Sequence, residues 1–388
     1  MKPRPVLLIV AVSCFIIFGA VACIGFDKIR NIQDKVARVQ NGIKNWADEG
    51  KDPGQAMSFL QQAKSAFDDH DPDRGMAFLD QALQILGPSA NQARKKTDGH
   101  LLPIYSGHEE MTDLYQNPEL VEIEGYSEDC MEPFISGDGA FLFFNNSNEQ
   151  NVSTHIHFAK RIDKTKFKHL GILPGTSSSG KDMAPTMDLQ RNFYYTSTPT
   201  FATDRKSIYT GRFNGATVGG VKAVVGEIWP TVPFWIDMDC DISPDGTTLV
   251  LSRALFTANA GENGGPRQSD LLYAELKDGK FSISPRSSEI LGKVNTTALE
   301  YAPSISSDCL DLYFTRASEP VPNLSPGGLR IMVATRRSKS EPFQEARKLK
   351  AIEGFVEAPA LSSDGKELFF HKKESGPFRI YRAVRKPG

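Results

Sequence analysis

The 388-residue sequence predicts a mainly β protein, a five-bladed β-propeller, preceded by an N-terminal transmembrane or signal segment and a short α-helical region. Three observations predict it. A short apolar strand, a Ser-x-Asp-Gly turn and a second apolar, often aromatic strand recur five times, the turn intact in three copies and worn to Asp308-Cys309 in the fourth and Gln190-Arg191 in the second. The repeats centre on Asp138, Gln190, Asp245, Asp308 and Asp364, at steps of 52, 55, 63 and 56 residues. A period near fifty with no helical pattern inside it marks one four-stranded blade per repeat. Composition agrees, since 24 Phe alongside 32 Gly and 24 Pro favour strands and turns over helices.

Taken in order, the chain opens with MKPRPVLLIVAVSCFIIFGAVACIGF. Lys2 and Arg4 precede 21 residues without a charge, Val6 to Phe26, about the ~20 that cross a bilayer as a helix. Two readings stand: an uncleaved signal anchor with its basic end inside, or a lipoprotein signal in which Ala20-Val21-Ala22-Cys23 makes Cys23 the lipidated residue. Residues 27–94 switch to helical spacing. Ile29, Ile32, Val36, Val39, Ile43 and Trp46 form one stripe, Met57, Leu60, Ala63 and Phe67 a second, and Met76, Leu79, Ala82, Leu83 and Leu86 a third. Asp71 and Pro72 are suited to cap and open the last helix. Residues 95–117 read as a linker and 118–388 as the propeller. Cys14 and Cys23 lie in the apolar segment. Cys130, Cys240 and Cys309 show no CxxC spacing, so they indicate buried thiols rather than a zinc site or a disulfide framework.

Within each repeat, strand a surrounds the Pro, a two-residue Asp-Gly turn follows, and strand b is the aromatic run. Strand c reads THIHFAKR, KSIYTGR, SDLLYAEL, LRIMVATR and FRIYRAVR. Strand d is placed at residues 170–173, 221–228, 288–291 and 347–352, and the fifth repeat lacks one. Residues 119–125 (ELVEIEG) precede the first repeat as residues 348–354 (KLKAIEG) precede the fifth. This predicts that the N-terminal strand completes the last blade and leaves no bare sheet edge. A sixth blade would have to come from residues 100–117, too short for four strands.

The motifs carry two resemblances. Ile242-Ser243-Pro244-Asp245-Gly246, Leu361-Ser362-Ser363-Asp364-Gly365 and Arg379-Ile380-Tyr381 resemble the WD40-like propeller repeats of the TolB type. That likeness covers about two-thirds of the chain and implies a fold and a tendency to bind proteins or small ligands. The segment GQAMSFLQQAKSAFDDHDPDRGMAFLDQALQIL resembles a single tetratricopeptide-type helical hairpin.

Chemistry is sparsely written. Forty-five basic against forty-seven acidic residues exclude a nucleic-acid electrostatic footprint. Gly175-Thr176-Ser177-Ser178-Ser179-Gly180-Lys181 mimics a phosphate loop, yet Asp182 stands where Ser or Thr would hold magnesium, so it reads as a connection between blades. No Gly-x-Ser-x-Gly elbow is present. His155 and His157 share one face of a strand without a third ligand and read as partly exposed. The acids are more informative. Asp237, Asp239 and Asp241 alternate along one strand a and should face one side, and Asp129, Glu132, Asp182, Glu300 and Glu357 hold similar places in the other repeats. Strand a lines a propeller's channel, and its start shares an end with the longest b–c loops, residues 257–269 and 318–328. These eight carboxylates are therefore the candidate ligand-binding mouth, suited to a basic peptide or calcium. The resulting expectation is a non-enzymatic, membrane-tethered propeller exported to the bacterial envelope, periplasmic or extracellular, binding an envelope protein or peptide. The alternative is a glycosidase- or peptidase-like hydrolase that uses paired carboxylates at the mouth.

Overall fold

The computed structural model describes residues 32–46 in part, then 52–87, 94–95, 101–103, 105, 107, 109–149, 152–230, 235–256, 265–266, 268–318 and 328–387. The expected signal segment and Cys23 lie outside the described residues. Among the described residues no helix is long and apolar enough to cross a membrane. The chain forms two compact units, Met1–Ser106 and Gly107–Gly388.

In the first unit, α1 (Gly54–Asp68) and α2 (Pro72–Leu86) form an antiparallel hairpin. Asp71 caps α2 as expected, its carboxylate accepting from the Arg74 N–H at 3.0 Å. Gly75 lets the helices close up, since a Cβ there would meet the Phe67 ring at 2.4 Å. Leu60, Ala63, Leu79 and Ala82 bury against Ile32, Val39 and Ile43, and Phe59 stacks on Phe78.

The second unit is the propeller, and each blade is one antiparallel sheet. Blade 1 holds β4 (Met131–Ile135), β5 (Phe141–Asn145), β6 (Ile156–Arg161) and β7 (Lys166–Ile172). Blade 2 holds β8 (Asp182–Met187), β9 (Asn192–Ser197), β10 (Ile208–Phe213) and β11 (Val218–Ala223). In blade 3 the strands are β13 (Trp235–Ile242), β14 (Thr248–Leu255), β15 (Gln268–Lys277) and β16 (Lys280–Ile283), with the short β12 (Gly226–Glu227) running parallel beside β16. Blade 4 has β17 (Leu299–Ile305), β18 (Asp311–Ala317), β19 (Leu329–Thr335) and β20 (Arg347–Leu349). Blade 5 has β21 (Phe355–Leu361), β22 (Glu367–Lys373) and β23 (Arg379–Val384).

The aromatic runs are explained by burial on both faces. Along β5, Leu142 and Phe144 pack toward blade 5 while Phe143 packs toward blade 2; along β22, Leu368 and Phe370 face blade 4 while Phe369 faces blade 1. Every interface between neighbouring blades thus holds its own apolar cluster. A strand sandwiched between two sheets loses the polar alternation of a half-exposed one.

The fourth strand of blade 5 is β2 (Glu119–Leu120), paired antiparallel to Tyr381 and Arg382, as the repeat predicts. The same segment does more. Upstream, β1 (Met111–Thr112) runs parallel to β20 of blade 4, and Tyr115 bridges to Arg385. Downstream, β3 (Glu122–Glu124) runs parallel to β7 of blade 1. The expected linker at 95–117 is therefore corrected: from Gly107 the chain belongs to the propeller, because main-chain pairing and the buried Tyr115 tie it to the rim.

Two turn expectations also change. The Ser-x-Asp-Gly unit is not a two-residue hairpin. Gly139 N–H donates to Ser136 O, and the Ser136 hydroxyl donates to Asp138 Oδ1 while accepting from Phe141 N–H. Blades 3, 4 and 5 repeat this with Ser243/Asp245, Ser306/Asp308 and Ser362/Asp364. In blade 2, Asp188 fills the Ser position and accepts from the Asn192 N–H. The two-residue turn is instead Asp278-Gly279, both at positive φ, joining β15 to β16. Strand d of blade 3 is thus residues 280–283, and the expected strand at 288–291 falls largely on a one-turn helix, Ser287–Ile290.

Candidate functional site

The inner strands all carry a β-bulge near their start. In four blades the bulge holds a left-handed residue followed by Pro: Glu132 (φ 49°), Ala184 (50°), Ala302 (49°) and Ala358 (53°). A bulge re-aims side chains and turns main-chain donors out of the ladder. Each freed N–H finds an acceptor on strand b of the preceding blade. Ala184 donates toward Asn145 Oδ1 (3.4 Å), Ala302 to Ser252 Oγ (3.0 Å), Ala358 to Thr315 Oγ1 (2.9 Å) and Glu132 to His371 Nδ1 (2.9 Å). Thr196 is the fifth equivalent residue and donates to Met238 O at 2.8 Å, because β13 has no left-handed residue. All five are buried.

These bulges decide which candidate carboxylates meet. Asp237 pairs across the ladder with Arg253, and Asp239 with Ser252. The extra residue between them puts the two aspartates on opposite faces, so the expected common side is corrected. Asp237 forms a two-pronged ion pair with Arg253 (2.7 and 3.1 Å). Three more candidates are likewise structural. Asp182 accepts from Ser178 and Ser197, Glu300 from Thr296 and Arg316 (Nε to Oε1, 2.8 Å), and Asp129 from the Phe378 N–H at the seam (2.7 Å).

The other four gather at the axis. A small central pocket is lined by Glu132, Phe134, Ala184, Asp239, Asp241 and Ser304, among others. Asp241 sits deeper, accepting from the Thr186 hydroxyl and from the Ile305 N–H at 2.7 Å. Glu132 accepts from Ala184 N–H (3.0 Å) and Asn148 Nδ2 (2.8 Å), and Asp239 from Ala302 N–H (3.1 Å). Glu357 stands beside them, holding hydrogen bonds to the Tyr301 hydroxyl and, at 3.3 Å, to His371 Nε2. Burial, then the neighbouring Asp239 and Glu357 charges, raises Glu132 well above the usual carboxylate range. Burial and the Glu357 charge push Asp239 up to about 7, against the hydrogen bonds from Ala302 and Ser252, and burial takes Asp241 to about 7. Protonated carboxyls near neutral pH beside a carboxylate that accepts two donors make an arrangement suited to acid–base chemistry.

Register places Tyr301 opposite Thr315 and Glu357 opposite His371, the same rung that Asp239 shares with Ser252. Tyr301 and His371 escaped sequence reasoning. The available signal was a polar residue within or closing each aromatic run, Asn145, Thr196, Ser252, Thr315 and His371, at the repeat spacing. The b–c loops expected to frame the mouth lie partly outside the described residues. The histidine expectation is corrected for His157, which is buried with Nδ1 3.0 Å from His169 Nε2; His155 is half-buried and bonds Ser153. Burial, then the neighbouring His169 and His155, lowers His157 to about 4. The phosphate-loop mimic leads into β8, a strand. Among the described residues no group of three or more His, Cys, Asp or Glu is disposed to hold a metal ion.

No protein-family model and no curated protein matches the chain. Solved structures do. The catalytic domain of the Coprinopsis cinerea GH62 α-L-arabinofuranosidase is 11% identical over 71% of this chain and 98% of its own, with a TM-score of 0.44. An endo-arabinase from Bacteroides thetaiotaomicron is 16% identical over 70% and 99%, with a TM-score of 0.43. A putative TolB from Agrobacterium tumefaciens is 12% identical over 69% and 78%, with a TM-score of 0.38. The expectation of a non-enzymatic chain is corrected on this finding, since glycoside hydrolases recur among the propellers that it resembles. A missing nucleophile elbow bears only on serine-type hydrolysis, and the carboxylates meet without one. At these identities the likeness concerns the fold, and the chain is a mainly β protein with a five-bladed propeller.

Proposed function

We propose that the propeller is a glycoside hydrolase whose centre is Glu132, Asp239 and Glu357. The observation that carries this reading is their convergence near the axis: Glu132 and Asp239 line the central pocket and are raised, while Glu357, their electrostatic neighbour, accepts hydrogen bonds from Tyr301 and His371. Such a pair divides the labour of glycosidic cleavage. A protonated carboxyl, Asp239 or Glu132, delivers its proton to the departing glycosidic oxygen. Glu357 attacks the anomeric carbon or activates water against it. Carboxyl groups about 5–5.5 Å apart retain anomeric configuration and those about 6.5–9.5 Å apart invert it, so the product anomer reports which role Glu357 takes.

The test is turnover of a panel of neutral and acidic oligosaccharides by the full chain, followed by reducing-end assay and by proton NMR of the new anomer. Glu357→Gln and Asp239→Asn are expected to lower kcat by at least about 10²-fold. kcat/KM is expected to fall as pH rises through about 7, where Asp239 gives up its proton. No release from any glycan, or release that both variants leave intact, overturns the reading. We further propose export, on the strength of the apolar run from Val6 to Phe26 behind Lys2 and Arg4. Protease added to intact cells should then digest the propeller once the outer barrier is opened, and resistance until lysis would place it inside.

A further inference from the structure

The four left-handed N–H groups named above each donate to a strand-b residue of the preceding blade. In three blades that acceptor is an oxygen, on Asn145, Ser252 or Thr315. In blade 5 it is the imidazole of His371, which is 1% exposed and packed edge-on against Phe378 (ring centroids 5.2 Å). A main-chain N–H has only a proton to give, so Nδ1, 2.9 Å from the Glu132 nitrogen, carries a lone pair. The ring proton then sits on Nε2 and is donated to Glu357 Oε2. Tyr301 from β17 donates to the other carboxylate oxygen, Oε1. Among the described residues, Glu132 from β4 and Asp239 from β13 act electrostatically on the pair's side of the site, and Lys373 lies over the Phe378 ring.

We propose that His371 is a positioning residue, locked as the Nε2–H tautomer by the main chain of Glu132, and that it aims the Glu357 carboxylate at the cavity. The role rests on the hydrolase reading of the site. Blade 1 thereby sets the orientation of a group on blade 5, across the seam at which the ring closes. A hydrogen bond of fixed direction removes a rotation that Glu357 would otherwise retain, and a misplacement of about 1 Å at a reacting group costs about 10²-fold.

Nitrogen-15 spectra of the full chain at pH 7 are expected to show Nδ1 of His371 unprotonated and Nε2 protonated. In His371→Gln the amide oxygen can accept from Glu132 and the NH₂ can donate to Glu357, so kcat should stay within about 3-fold of the parent. His371→Leu loses both bonds and should drop about 10²-fold in kcat with KM little changed. Should His371→Leu fail to fold, the spectrum of the parent and the His371→Gln rescue still decide. An Nδ1–H tautomer, an imidazolium at pH 7, or a His371→Gln as inactive as a folded His371→Leu overturns the positioning role. Absence of turnover on every glycan overturns the hydrolase reading alone and leaves the tautomer to be read from the spectrum.

Discussion

Glu132 occupies a position that the other left-handed bulges give to alanine. Ala184, Ala302 and Ala358 hold the same backbone with no carboxyl to bury. A non-glycine residue in this region carries strain of order 1–3 kcal/mol, so the larger side chain is retained against both strain and desolvation. Replacing it is informative for that reason. Glu132→Ala restores the residue found in the other blades, and the Ala184 N–H keeps Asn145 as an acceptor. The variant is expected to melt at or above the parent temperature at pH 8 while losing turnover, the pattern of a site maintained against stability. A loss of more than about 2 kcal/mol in a denaturant melt would make Glu132 a structural carboxylate instead. Asp237 should behave in the opposite way. It is buried against Arg253, so Asp237→Ala strands a partly buried cation and should cost roughly 3 kcal/mol in the same melt. Its kcat per folded molecule should be unchanged.

At the scale of elements, the rim segment from Gly107 to Glu124 touches three blades in turn, through β1, β2 and β3. Tyr115 anchors it, fully buried with its hydroxyl 3.0 Å from that of Tyr313. Tyr115→Ala is expected to cost about 3–5 kcal/mol, the range for truncating a large buried aromatic, read as a shift in denaturant midpoint. A fragment that begins at Gly107 should melt as the propeller does in the full chain, whereas one that begins at Pro118 should melt earlier and less cooperatively. The blades themselves were legible, because Ser-x-Asp-Gly and the aromatic run report one turn and one doubly buried strand. Closure by residues 119–120 was legible from the likeness of ELVEIEG to KLKAIEG. The rim strands β1 and β3 were not, since two or three paired residues leave no periodic trace. Nor was the division of the acids. A bulge adds one residue and inverts the alternation beyond it, so Asp237 and Asp239 look alike in sequence and face opposite ways. The Ala-Pro and Glu-Pro pairs marking four bulges were visible, but a residue before proline ordinarily reads as extended.

For the whole molecule, the buried axial acids set how stability depends on pH. Burial lifts Asp239 and Asp241 to about 7 from an ordinary 3.8. Between those values the folded protein holds protons that the unfolded chain has released, so these groups favour folding less as pH rises, and the loss is complete above about 7. The full chain should therefore be harder to denature at pH 5.5 than at pH 8, by a few kcal/mol in order of magnitude. Asp241→Asn can still accept from Ile305 and donate to Thr186, and it carries no charge at either pH. It should narrow the difference; an equal gap in parent and variant would locate the titrating groups elsewhere.

The seam between β2 and β23 has a consequence in time. Glu119 and Arg382, which meet there at 3.1 Å, are 263 residues apart in the chain. At roughly 5–20 residues per second, a ribosome takes on the order of 13–50 seconds to make the second partner after the first. Throughout that interval the nascent chain can assemble individual hairpins, whose contacts are local, but it cannot join the two ends of the circle. The ring can therefore close only once Arg382 has been made, and until then β2 waits without its partner strand.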